Sequence, residues 1–217
     1  MKDAQSAPEY GRTNWRRFAV AVGVPTAVAA GLLVALQTGA LAANFSVAGT
    51  QFKLSADRLE GEGFTQYSAG LNDNKIPAAM SGIESADLYN LCQSVRSDAF
   101  GFPIVLRIAA AEDAKYKGGD VGADPNSVHG DNLLIGMSEL SGDATFTNIE
   151  IGHDAGSLDK AQPEAKGAPG TFGQQADHVS ITGLRQRAYS TSASTFRLKG
   201  MSLKLIVNDA KAECYAG

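Results

Sequence analysis

TFRLKGMSLKLIV, residues 195–207, carries an apolar side chain at every second position on either side of one glycine. Side chains of a strand alternate between its two faces, so a period of two marks a half-buried strand. Phe196 and Leu198 share one parity; Met201, Leu203, Leu205 and Val207 share the other. Gly200 stands where the parity changes, and a β-bulge is expected there. The same alternation appears upstream in Val179/Ile181, in Ile104/Leu106/Ile108 behind Pro103, in Phe52/Leu54/Ala56 and in Phe45/Val47. Proline gives no ladder N–H, so Pro103 suits a strand start or an edge. A second parity slip separates Phe146 from Ile149 and Ile151. Ile83–Cys92 fits a short helix by its apolar spacing and a twisted strand by Tyr89/Leu91, the strand being preferred. Glu112–Asp131 and Ala155–Gln175 are rich in Gly, Pro, Asp and Lys without apolar period and are expected as loops. Leu59, Leu140 and Leu184 sit in similar short segments, but their spacing is irregular and gives no repeat.

The pattern is mainly β: an antiparallel β-sandwich or a strongly curved sheet over residues 43–217. A different segment precedes it. Arg12, Trp15, Arg16 and Arg17 lead into a stretch from Phe18 to Gln51 that holds no charged side chain. A helix needs about 20 apolar residues to span the hydrocarbon core, so one N-terminal membrane helix or signal segment is expected over 18–42. The arginines place residues 1–17 in the cytoplasm as a tail and send the β-rich part outward, by the positive-inside rule. The small residues before Ala42 and Ala43 form a possible signal cleavage site, so both a retained anchor and a secreted domain remain open. In either case the location is the cell membrane with the domain facing outside, or beyond it.

The chain has 217 residues and a net charge of −4, with no basic footprint for nucleic acid. Its only two cysteines, Cys92 and Cys214, both follow the membrane segment, where oxidising conditions allow a disulfide. That bridge would close a long loop and contribute about 4–5 kcal/mol in the chain-entropy model.

Catalytic signals are sparse. No Gly-x-Ser-x-Gly elbow occurs, so an esterase would depend on Ser138 or Ser157 meeting His153 in space. His129, His153 and His178 lack zinc-ligand spacing. Asp120, Asp124, Asn126 and Asp131 offer oxygen ligands on a glycine-rich stretch and are weak calcium candidates, although the spacing matches no calcium loop. No phosphate loop or dinucleotide fingerprint is present, and no cofactor is expected. Arg185, Arg187, Arg197 and Lys199 would make a basic stripe if they shared one sheet face, or would be the solvated face of a strand pair.

The segments GRTNWRRFAVAVGVP (11–25), GALAANFSVAGTQFKLSADRLEGEGF (39–64), LCQSV (91–95), GDATFTNIEIG (142–152) and FGQQADHVSITGLRQRAYSTSASTFRLKGMSL (172–203) resemble a family of uncharacterised actinobacterial exported or membrane-anchored proteins with a domain of unknown function. Some members carry a cholesterol esterase label, and many are encoded beside a small multi-span membrane protein. The resemblance implies a cell-envelope setting and transfers no catalytic residue. The expectation is a non-catalytic envelope protein whose β-domain self-associates as a homo-oligomer or docks on a membrane partner such as that multi-span protein. A carrier of lipid or another hydrophobic ligand, and an esterase, are the alternatives.

Overall fold

Alternating apolar residues turn into nine antiparallel strands of a single sheet. The computed structural model describes residues 50–71, 76–98, 101–209 and 211–216. In chain order the strands are β1 (Phe52–Leu71), β2 (Ile76–Tyr89), β3 (Leu91–Ser97), β4 (Ile104–Ala110), β5 (Val128–Thr147), β6 (Glu150–Asp154), β7 (Phe172–Ser192), β8 (Thr195–Arg197) and β9 (Ser202–Val207). Of the two expected architectures, the curved sheet is the one formed; the strands do not divide into the two packed sheets of a sandwich. The membrane segment, the Ala42/Ala43 cleavage site and the Phe45/Val47 strand lie outside the described residues. Among those described, no helix is long and apolar enough to cross a membrane, which says nothing of strands.

Four long strands close on themselves. β1 pairs with β2, β2 with β5, β5 with β7, and β7 again with β1. Following partners from Val179 through Gly61, Ala86 and Gly130 arrives at Phe196, well beyond the starting position. A ring staggered this far has steeply tilted strands. Its interior is filled by Leu59, Phe64, Ile83, Val179, Ile181 and Leu184, each at most 4% exposed. Gly61 is required inside this narrow ring, because a Cβ there would stand 2.9 Å from Ile83 Cγ2 and 3.1 Å from Val179 Cγ1.

Several strand breaks preserve the register. β3 continues β2 along β1, β6 continues β5 along β7, and β8 continues β7 along β5. Asn90 and Asn148 stand at two of these breaks with φ of 55° and 53°, a region asparagine enters more readily than most residues. The parity slip after Phe146 is therefore a kink at Asn148. Gly200, with φ of 63°, is a turn rather than the expected bulge, since it carries the chain from β8 on β5 to β9 on β4. Ile83–Cys92 is strand, as preferred, interrupted at Asn90. Pro103 precedes β4, which is an inner strand between β3 and β9.

The expected loops are shorter than read, because β5 begins at Val128 and β7 at Phe172. Residues 112–126 of the first are exposed or half-buried, whereas the second is anchored by buried side chains. Ala155 and Leu158 bury against Tyr67, Ala78 and Met80, and Thr65 Oγ1 donates to the Ala165 carbonyl at 3.1 Å. Burial pushes the Tyr67 phenol up to about 12. Lys160 pairs with Asp177 of β7 at 2.5 Å, and Gln162 Nε2 donates to the Leu133 carbonyl at 2.8 Å.

Candidate functional site

At Asn90 the sheet forks: β2 pairs onward with β5, whereas β3 pairs onward with β4 and β9. Cross-strand partners in an antiparallel sheet share a face. One row runs Leu140, Gln186, Leu54, Gln93, Ile108, Leu203 from β5 to β9. Beside it lie Val95, Leu106, Leu205 and then Ser97, Ile104, Val207. The inner apolar face of the ring thus continues outward across β3, β4 and β9. Leu54 is buried, Ile108 and Leu106 are half-buried, and Leu203, Leu205 and Val207 are 55%, 64% and 47% exposed. Met201 extends the exposed patch. Among the described residues β9 is also the last strand on this side, and no described strand pairs with its outer edge.

The opposite face is mixed, with Val105 buried in it beside a polar row. Its main row is Glu139, Arg187, Lys53, Ser94, Arg107, Lys204. The C-terminal segment crosses this row, held by the Cys92–Cys214 disulfide with Cα atoms 5.7 Å apart. Lys53 Nζ donates to Glu213 Oε2 at 3.1 Å and to the Tyr215 carbonyl at 3.0 Å, Cys214 N donates to Ser94 Oγ, and the Tyr215 hydroxyl donates to the Gln186 carbonyl. The Arg185 guanidinium and the Lys53 ammonium lie over the Tyr215 ring, 5.7 Å and 5.2 Å from its centre. Burial raises the Tyr215 pKa, with the Arg187 charge pulling the other way. An open groove of about 460 Å³ follows, lined by Ser55, Asn90, Arg107, Ser141, Arg185 and Tyr215 among others.

Two histidines are held between carboxylates. His129 Nδ1 lies 2.9 Å from Asp87 Oδ1 and its Nε2 lies 3.1 Å from Asp131 Oδ1. Asp87 is 1% exposed and also accepts from Ser127 Oγ and Gly122 N, which fastens the connection between β4 and β5. Burial, with the Asp87 charge next in weight, pushes the adjacent Tyr89 up to about 12. His178 Nε2 lies 2.9 Å from Glu60 and its Nδ1 lies 3.0 Å from Glu62, while Ser180 and Arg58 also donate to the buried Glu60. A nucleophilic serine needs its hydroxyl on a free imidazole nitrogen. Here both ring nitrogens face carboxylates, and each serine donates to the acid instead.

The other expected residues are dispersed. His153 Nδ1 is 3.2 Å from Glu150, Ser157 Oγ donates to the Asp154 carbonyl, and Ser138 Oγ accepts from Gln51, so the serine–histidine pairing of an esterase is not assembled. The calcium candidates do not converge. Asp124 caps the backbone of Asn126, Asp131 serves His129 and Ser85, and no group of three or more His, Cys, Asp or Glu among the described residues is placed to hold a metal. The basic stripe divides: Arg185 and Arg187 stand on the polar face of β7, Arg197 reaches the Asp124 carbonyl, and Lys199 lines a second open groove with Lys115 and Lys117. Sequence reading missed Glu60 and Asp87. Their histidine partners come from β7 and β5, and strand register is what brings these together.

These features define a class: an all-antiparallel β domain, pinned by one disulfide, with an apolar margin that is exposed among the described residues. The chain belongs to a family of unknown function (DUF6230), whose model matches residues 48–215. No curated protein and no solved structure matches it.

Proposed function

We infer that this protein is a non-catalytic component of the cell envelope, tethered to the membrane or exported, whose β-domain works by association with a protein surface. The apolar margin of β4 and β9 carries this reading. Contiguous exposed apolar patches of this kind mark interaction sites, and here the patch is built by regular strands rather than by a stray loop. The disulfide agrees with an oxidising compartment outside the cytoplasm. Transport of a hydrophobic ligand is less well supported, since the ring interior is occupied by its own side chains and the grooves are open. Hydrolysis lacks an activated hydroxyl in either histidine cluster.

The test is a photo-crosslinking amino acid at position 203, with a matched position such as Ser68 on the ring as control, in intact host cells. One adduct of fixed mass from position 203, in material protected from cytoplasmic labelling, is expected. Equal, diffuse labelling from both positions would dismiss the association reading.

A further inference from the structure

We propose that the groove beside the Cys92–Cys214 disulfide binds a phosphate ester of a polyol, its phosphate held by Arg107 and Arg185 and a hydroxyl held by Asp57. The groove lies on the face opposite the apolar margin, so this site stands or falls apart from the association reading.

The arginines single it out. Six lie among the described residues. Arg58, Arg96 and Arg187 pair with Glu60, Asp98 and Glu139, and Arg197 donates to the Asp124 carbonyl. Arg107 and Arg185 are the two whose guanidinium groups bond no oxygen among the described residues, and both line this groove. The chain has 23 acidic residues against 19 lysines and arginines, so two unpaired forks in one groove are not for want of carboxylates. Each fork matches two oxygens of one anion. A carboxylate offers its two oxygens in a single plane, whereas a phosphate ester presents oxygens in more than one, so two forks can share it. β7 and β4 are three strand spacings apart, about 14 Å, which two arginine side chains with a phosphate between them can span.

The other end of the groove has different chemistry. Arg107 stands in the row of Ser94 and Lys53, and Asp57 lies four residues further along β1, about 13 Å away. Asp57 Oδ2 accepts from Asn90 Nδ2 at 3.1 Å, which orients the carboxylate and leaves Oδ1 to accept from a ligand hydroxyl. Ser55, in the row of Arg185, lies between the two ends. The wall is fixed in advance by the disulfide and by the Tyr215 hydroxyl on the Gln186 carbonyl, and the Arg185 guanidinium rests over the Tyr215 ring. A free sugar or glycerol phosphate and a phosphoglycerol lipid headgroup carry the same chemistry.

The test is calorimetric titration of the full-length chain in neutral detergent with glycerol phosphate, inorganic phosphate and glycerol. Saturable binding of glycerol phosphate is expected, about tenfold tighter than inorganic phosphate, with none of glycerol. Arg107→Gln and Arg185→Gln should each weaken it about tenfold, as loss of a charged hydrogen bond does, and Arg96→Gln should leave it unchanged. Asp57→Ala should bring the ester to parity with inorganic phosphate. Circular dichroism and the retained disulfide check that each variant folds. In the unmodified chain, glycerol phosphate should shield Arg107 and Arg185 from phenylglyoxal while Arg96 still reacts, read by peptide mass. Short-chain phosphatidylglycerol, set against short-chain phosphatidylcholine, separates the sources: binding tighter than that of the free ester assigns a lipid headgroup, and weaker binding a soluble phosphate. Equal affinity of the unmodified chain for ester and inorganic phosphate would overturn the polyol. No saturable binding of any phosphate probe, or shielding no greater at Arg107 and Arg185 than at Arg96, would overturn the site.

Discussion

Leu54 and Leu203 belong to one row of the sheet, yet Leu54 is 7% exposed and Leu203 55%. The first lies where β1, β2, β5 and β7 roll shut; the second lies where β3, β4 and β9 leave the ring. Residue type does not distinguish them. What differs is the partner strand, because a leucine is buried only when another part of the sheet comes round to meet it. A ring of long strands covers its own interior, whereas at the outer end of the margin Leu203, Leu205 and Val207 stay exposed among the described residues. Stability should accordingly concentrate in the ring and association in the margin.

The largest test of this contrast is the disulfide, which anchors the C-terminal segment to β3 at the root of the margin. Replacing both cysteines with alanine should lower unfolding stability by about 4–5 kcal/mol, read as a fall in the urea midpoint. The loss should be unevenly expressed. Amide exchange is expected to quicken first in β3, β4 and β9, while the centres of β1 and β7 keep their protection. Equal acceleration throughout would mean that ring and margin unfold as one unit.

A pair of leucines gives a direct comparison. Leu184 is 1% exposed inside the ring. Leu184→Ala should cost about 2–5 kcal/mol, from lost transfer energy and the remaining cavity. Leu205→Ala should change monomer stability by less than about 0.5 kcal/mol, as is usual for exposed positions. Its effect should appear instead in the photo-crosslinked adduct expected from position 203. A large loss of monomer stability in the second variant would show that the margin is covered within one chain.

Much of this contrast was visible in the sequence, and part of it was not. Period-two alternation located the strand at Leu203, Leu205 and Val207, because alternation is a local property. It could not say which neighbour each strand would find. Gly200 looked like a bulge because a parity change accompanies bulges and chain reversals alike. The calcium candidates show the same limit: Asp124 and Asp131 are close in sequence, but β5 takes Asp131 to His129 while Asp124 caps its own turn. Glu60 shows the limit most clearly. An acid at 3% exposure is tolerable only with partners, and beside Arg58 on its own strand these are His178 and Ser180, which arrive from more than a hundred residues away. The Cys92–Cys214 pairing was readable because two cysteines leave only one.

Alkaline titration separates the buried tyrosines from the exposed margin. Tyr67 and Tyr89 are both pushed up to about 12 by burial. The unfolded chain ionises near pH 10 while the folded chain holds its protons, so stability is complete below pH 10 and declines as the pH rises to about 12. Each buried phenol should withdraw about 2–3 kcal/mol over that interval. The absorbance of these two rings should change only with unfolding, and Tyr67→Phe should shift the alkaline transition upward. Ionisation of Tyr67 in the intact fold near pH 10 would mean that the packing of Ala155 and Leu158 over it opens freely.

The smallest effect concerns the Lys160–Asp177 pair, which ties the connection after β6 to the ring at its surface. The Lys160 ammonium, with help from the Asn148 amide, holds the Asp177 carboxyl below the ordinary aspartate range. A depressed carboxyl pKa stabilises the fold above the unfolded value, and that contribution is lost as the pH falls through the folded one. Lys160 is raised by the same contact, so its share is present below the ordinary lysine value and fades as the pH climbs through the higher one. Both groups are partly open to solvent, and salt should weaken the pair. In Lys160→Met, the Asp177 carboxyl carbon should titrate at higher pH by NMR, with the midpoint in the wild type moving the same way as salt is added. An unchanged midpoint in the variant would assign the depression to Asn148 alone, and the connection would then be held to the ring by Gln162, Thr65 and Leu158 without help from charge.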